Sequence, residues 1–340
     1  MSGRSGTKIE QATPIEFGAT NLVGADQMIQ PQFGMVGALI VEPEESSWVE
    51  GITTRAAATV TKADGTSFRE FVVIDQNMVA NSTATNTFGA INFRSEPFTT
   101  RALPNNAQIL PQAPPQGYSQ AFSNSLYNPP ADPQTPIFVA PAGVPTRFRL
   151  VVPSTTTSNG IMPPPVFIVH GHNWQEEPYV DGGTQIGDNR LSEHVGSTEA
   201  GPNQKFDVLF ASAGGSDKVP GDYLYDTYQT GGVLGTWGLF RVTKQAVVIE
   251  KAQLLQNYLT ASGSIQSVTA NGTGQSPKQL QILAADASHG GIELGKAEVD
   301  SDGKWSFRAK TDLKEPATIQ VTAVGDNGDR GATTFGKITP

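Results

Sequence analysis

The chain has 340 residues, no cysteine, four histidines and a formal net charge of −9. The missing thiols exclude disulfide frameworks, zinc–thiolate sites and thiol catalysis. An acidic balance without any Lys/Arg cluster argues against nucleic acid or an anionic membrane as the main partner. The 36 glycines and 24 prolines, among many Thr, Ser and Val and few helix-favouring runs, read as an all-β protein rich in turns.

The first 42 residues end in an apolar run, Val36-Gly37-Ala38-Leu39-Ile40-Val41, that reads as a closing strand. A piece this short cannot bury a sandwich core alone. It needs a protein partner or a second copy of the chain, the favoured expectation, or it must fold onto the following sandwich as an extra strand pair. From 43 to 243, strand candidates fall at 56–62, 68–75, 136–139, 146–152, 166–174, 205–210, 221–228 and 235–242. Asp64-Gly65 marks a hairpin. The Pro/Gln/Asn-rich stretch 102–135 is a long insertion without regular structure. Residues 244–259 read as a linker or helix. Beyond them, 260–340 carries short alternating strands at 264–270, 280–285, 295–299, 304–309, 317–324 and 331–337, the pattern of a smaller immunoglobulin-like sandwich.

No apolar stretch reaches the roughly 18 residues of a bilayer span, so membrane insertion is not expected. The first eight residues lack the apolar core of a secretory signal. The expected location is nonetheless extracellular or at the cell surface, reached through a removed leader, a partner or a parent polypeptide.

One segment carries a family resemblance. Gly24-Ala25-Asp26-Gln27-Met28-Ile29-Gln30-Pro31-Gln32-Phe33-Gly34-Met35 resembles, without a gap, the H-C-H-x-x-x-H-x-x-x-G-M signature of multicopper oxidases. The strand after it, Gly34–Val41, is echoed by Gly235-Thr236-Trp237-Gly238-Leu239-Phe240-Arg241-Val242. Counting back from Thr236, residues Tyr225, Asp226, Thr227 and Gly231 take the ligand places of a second copy. With Thr146–Leu150 and Trp174–Pro178, these motifs look most like the C-terminal portion of long bacterial oxidases related to manganese oxidases. The resemblance covers about residues 14–242 and implies a cupredoxin-like Greek-key β-sandwich at 43–243, preceded by the closing strands of a partial cupredoxin domain. Residues 260–340 resemble bacterial Ig-like modules.

At the metal positions the resemblance is negative. Gly24, Ala25, Asp26 and Gln30 stand where the family has histidines and cysteine, and only Met35, the weak axial position, is kept. A blue-copper site requires a soft thiolate, and this chain has none. Its four histidines, His170, His172, His194 and His289, are too few for the family's oxygen-reducing cluster. No cofactor is therefore expected in this chain, whereas copper can reside in partner chains.

The strongest candidate for metal chemistry is His170 with His172, in Pro165-Val166-Phe167-Ile168-Val169-His170-Gly171-His172-Asn173-Trp174. The stretch resembles the family's H-P-x-H-L-H-G-H-x-F strand. His170 matches a copper ligand, His172 the fourth and usually non-coordinating histidine, and Pro165 and Ile168 replace the others. Strand alternation would place Ile168, His170, His172 and Trp174 on one face, where two imidazoles could chelate a divalent ion. The bland reading makes both histidines hydrogen-bonded core or rim residues. Asp300, Asp302, Asp326 and Asp329 lack the bidentate Glu of an EF-type loop and fit hairpin turns better than calcium. Glu44, Glu45, Glu176, Glu177 and Glu193 read as solvated strand ends, and Asn81 and Asn271 match a short glycosylation pattern.

The function these features imply is a copper-free structural or assembly module, related to multicopper oxidases, that completes or docks a larger cupredoxin assembly. Such a chain is not expected to be catalytic alone. An alternative is one chain of a split multicopper oxidase whose copper lies in partner chains. Another is an adhesive or filament-forming surface protein in which residues 1–42 add strands to the next subunit.

Overall fold

Alternating apolar and polar residues build two sheets around one aromatic core. The chain is seen in a computed structural model that describes residues 4–5, 8–9, 18–26, 30–50, 56–79, 88–97, 132–154, 156–157, 160–161, 165–180, 183, 185–228, 234–243, 247–260, 263–274, 279–286, 291–314, 317–324 and 330–338. The first sheet runs Gln204–Phe210, Thr146–Ser154, Ser67–Val79, Ala57–Thr61, Ser47–Glu50, with Phe88–Ile91 also pairing Ser67–Val79. The second runs Ser197–Glu199, Val166–Val169, Gly221–Tyr228, Trp237–Thr243, Ile137–Pro141. Two pairings are parallel, Thr146–Ser154 with Ser67–Val79 and Trp237–Thr243 with Ile137–Pro141. The other ladders in these two sheets are antiparallel.

Facing residues of the two sheets meet in the core. Phe71, Phe138, Phe148, Phe167, Tyr225 and Phe240 are fully buried there. Ring centroids lie 4.9 Å apart for Phe71 and Phe138 and 5.3 Å for Phe148 and Phe240, the spacing of tilted and edge-to-face aromatic pairs.

Residues 18–26 and 30–42 sit on the outer face of the first sheet. Gly18–Val23 and Val36–Val41 form an antiparallel pair. The Ala19 N–H donates to the Asp207 carboxylate at 3.3 Å, and the Asn21 amide donates to the Gln204 carbonyl at 2.9 Å. Glu42 reaches Arg149 at 3.1 Å. Residues 18–26 and 30–42 are thus seated on the chain's own sandwich, the arrangement that sequence patterning ranked below a partner. Its outward side leaves Phe33, Met35 and Leu39 largely exposed.

The last seven strands form sheets of three (Val247–Thr260, Gly263–Gly274, Lys304–Thr311) and four (Ile292–Glu298, Gln279–Asp286, Ala317–Val324, Arg330–Ile338). They share a core of Ala252, Leu254, Leu280, Ile282, Trp305, Leu313, Ile319 and Val321. This corrects the reading of 244–259 as a linker or helix. Val247–Thr260 is a strand paired along Gly263–Gly274, because burying Ala252 and Leu254 beside Trp305 outweighs the helix propensity of Glu250-Lys251-Ala252-Gln253-Leu254-Leu255. Residues 102–131 of the expected insertion lie outside the described residues, as does Gly231. Among the described residues no helix is long and apolar enough to cross a membrane.

Candidate functional site

The histidine strand stops sooner than its pattern implies. Val166–Val169 is strand, but residues 170 and 171 form a turn in which Gly171 has φ 75°. A side chain at that φ is strained, and here a Cβ would also press on the Tyr223 ring at 3.0 Å. The turn resets the alternation, so the expected common face for Ile168, His170, His172 and Trp174 is not formed. His172 is buried and Trp174 joins the core, whereas His170 leaves 53 % of its side chain exposed.

Both ring nitrogens of His172 are engaged. Nδ1 lies 3.2 Å from the His170 carbonyl, which can only accept, so Nδ1 carries the proton. Nε2 then accepts the Gly214 N–H at 3.1 Å. The ring packs against Phe210, Tyr223 and Phe240, with centroids at 4.6, 4.7 and 5.2 Å. Burial pushes the pKa of His172 down, partly countered by the His170 carbonyl. A neutral imidazole with both nitrogens used is a cross-brace between two loops.

His170 has one acidic neighbour among the described residues, with Nε2 3.8 Å from Oδ1 of Asp226. Burial raises the Asp226 pKa, and the His170 charge opposes the shift. A single imidazole and a single carboxylate make an incomplete donor set for a divalent ion. Among the described residues no group of three or more His, Asp or Glu side chains is placed to hold a metal. His194 is exposed on the short Trp174–Gln175 and His194–Val195 pair, and His289 lies outside the described residues. Glu44, Glu45, Glu176, Glu177 and Glu193 are exposed. Asp300 accepts the N–H groups of Asp302 and Lys304 at 2.9 and 2.8 Å, which is turn chemistry; Asp326 and Asp329 lie outside the described residues.

The two sets of residues that the sequence resemblance places at ligand positions bond to neighbouring side chains and to the backbone. In the first, the Gln30 amide oxygen accepts the Asp26 N–H at 3.1 Å, and a Cβ on Gly24 would overlap that amide. In the second, Tyr225 is fully buried and donates to the Pro136 carbonyl at 2.7 Å, while the Thr227 and Thr236 hydroxyls bond to one another. Gly238 makes room for the Tyr225 ring, since any Cβ there would collide with it. These residues do not fit copper.

Around His172 opens a cleft of about 1010 Å³, with Phe68, Arg147, Asn173, Gln175, Asp217 and Tyr223 on its walls. Gln175 is committed to Asp188 and Asn189, and the Arg147 guanidinium lies over the Phe68 ring at 3.8 Å.

Sequence reasoning missed the most concentrated electrostatic feature. Arg149 is fully buried on the outer face of the first sheet and reaches Glu70 at 2.8 Å, Asp207 at 2.9 Å and Glu42 at 3.1 Å. Asp207 also accepts from Tyr179 and Lys205, each at 3.2 Å. Burial and the neighbouring Glu70 carboxyl push the Glu42 pKa up to about 8, against the pull of Arg149. Asp75 was also missed. It is fully buried, neither carboxyl oxygen has a hydrogen-bond partner among the described residues, and burial raises its pKa to about 7.

Comparison of the chain with protein-family models and with curated proteins finds no match.

Proposed function

We propose that the chain is a copper-free module of cupredoxin type, followed by a smaller immunoglobulin-like module, and that it serves structurally in a larger assembly. The observation that carries this reading is what fills the former ligand positions. Tyr225, Thr227 and Thr236 use their hydroxyls on one another or on the backbone, and Gln30 closes the loop at Gly24 and Asp26. Such groups hold strands together without metal, so these two sites act as fastenings. The two parallel pairings, one in each sheet of the sandwich, support the cupredoxin comparison, and the seven-strand, two-sheet organisation after Val247 supports the immunoglobulin-like one.

The test is copper loading of the full chain, followed by elemental analysis, visible absorption and phenol-oxidation assays. We expect no stoichiometric copper, no intense blue absorption of a thiolate-ligated cupric ion and no turnover. Stoichiometric copper with oxidase turnover from this chain alone would overturn the reading. Native mass spectrometry from the source extract addresses assembly, since a structural role requires a defined complex.

A further inference from the structure

Three elements meet at one buried guanidinium. Glu42 follows the N-terminal hairpin, Glu70 lies on Ser67–Val79 and Asp207 on Gln204–Phe210, and all three contact Arg149. Asp207 also receives the Ala19 N–H, so both arms of the hairpin are tied to this cluster. The other charged or titratable groups around it include Arg147, Lys205, Tyr179 and, beside Glu70, the buried Arg69. Glu42 Oε1 accepts from Arg149, Glu42 Oε2 is buried without a donor among the described residues, and the Glu70 carboxyl is held on the same guanidinium. Two carboxylates cannot bond each other unless one carries a proton. A proton on Oε2 gives that atom its partner. Directly after Glu42 the chain turns at 43–46, where Ser46 N–H bonds to the Pro43 carbonyl at 3.1 Å and Glu45 is held at φ 58°. That conformation is disfavoured for a residue with a Cβ.

We propose that the hairpin of Gly18–Val23 and Val36–Val41 is a proton-held flap: it stays on the first sheet while the Glu42 carboxyl keeps a proton beside Glu70, and it swings away about the 43–46 turn when that proton is lost. Loss of the proton leaves two ionised carboxylates side by side in a poorly solvated site, and opening hydrates both and relaxes Glu45. The sign follows from linkage. The closed state holds the proton up to about 8, whereas an open, solvated Glu42 releases it near its ordinary value of 4.5. Closure is therefore fully stabilised at low pH and weakens as pH rises between those values, by up to about tenfold in the opening equilibrium per pH unit, before levelling off.

Hydrogen–deuterium exchange on the full chain from pH 5 to 9, corrected for intrinsic rates, tests this. The amides of 18–23 and 36–41 are expected to lose protection by up to about tenfold per pH unit until about pH 8, while Thr146–Val152 in the sheet beneath loses less. In Glu42→Gln the amide can donate to Glu70 and its oxygen can still accept from Arg149, so the hairpin profile should become flat with pH. In Glu70→Gln, which donates to Glu42 instead of sharing its proton, the fall should shrink and move to lower pH. Hairpin protection that tracks the reference strand at every pH in the wild type overturns the proposal, as does a slope that both variants leave unchanged. The wild-type profile decides the matter by itself if a variant fails to dock its hairpin.

Discussion

Replacing His172 separates a cross-brace from a metal ligand. In His172→Ala the buried Gly214 N–H loses its acceptor and the contacts with Phe210, Tyr223 and Phe240 disappear. An orphaned buried donor costs about 1–3 kcal/mol and aromatic contacts about 0.5–1.5 kcal/mol. Because the ring borders an open cleft, water can reach part of the vacated space, so the expected loss is about 2–4 kcal/mol. His172→Phe keeps the ring but not the acceptor and should lose about 1–2 kcal/mol. Denaturant titrations at neutral pH, with chelator and with added divalent copper or zinc, provide the assay, and both losses should be the same in every condition. The pH dependence has a definite sign. A histidine whose folded pKa is depressed binds fewer protons when folded, so its contribution is lost as pH falls below about 6.5 towards the folded value. The gap between wild type and His172→Phe should accordingly narrow on acidification. The reasoning fails if chelator lowers the midpoint of the wild type but not of the variants, or if His172→Ala stays within about 0.5 kcal/mol of wild type.

Asp75→Val should stabilise the sandwich above neutral pH by about 1–3 kcal/mol, since it replaces a buried carboxylate without a described partner by a β-branched side chain of similar size. The gain should shrink as pH falls from about 7 towards 3.8, where the carboxyl is neutral in both states, and a constant gain in pH-resolved denaturation would contradict desolvation of a charged Asp75 as its cause. A fragment of residues 247–340 should melt cooperatively, whereas 260–340 should not, because Val247–Thr260 supplies Ala252 and Leu254 to the second core. Equal, cooperative melts of the two fragments by calorimetry would show that this strand is dispensable.

Period-two patterning located most of the strands because it encodes a half-buried sheet directly. Phe148 and Leu150 alternate with Arg147 and Arg149, and the sandwich core lies where that alternation points. It misled where conformation depended on one residue. Gly171 turns the chain after Val169, so the alternation read through His170 and His172 crossed a break that no apolar pattern marks. It also misled at Val247–Thr260, whose residues suit a helix in isolation and a strand only once Gly263–Gly274 lies alongside.

The candidate site was legible in what its residues cannot do. Tyr225, Thr227, Gly24 and Gln30 announce by chemical type that no thiolate or imidazole stands there, but the bonds of Tyr225 to Pro136, Thr227 to Thr236 and Gln30 to Asp26 depend on tertiary placement. The Arg149 cluster was invisible for a sharper reason. Glu70, Arg149 and Asp207 occupy the polar positions of three alternating strands, and a polar position normally means contact with water. Their burial depends on the hairpin of Gly18–Val23 and Val36–Val41 lying over them, a layer far away in sequence from Asp207, with Tyr179 and Lys205 beside Asp207. The same layer desolvates Glu42, raises its affinity for a proton, and so makes its own attachment depend on pH. The cluster and the pairing of the hairpin are therefore one question: on an uncovered sheet face water can hydrate Glu70, Arg149 and Asp207, but under the hairpin two acids and one guanidinium must be satisfied by each other, by Lys205 and Tyr179, and by a Glu42 that keeps its proton.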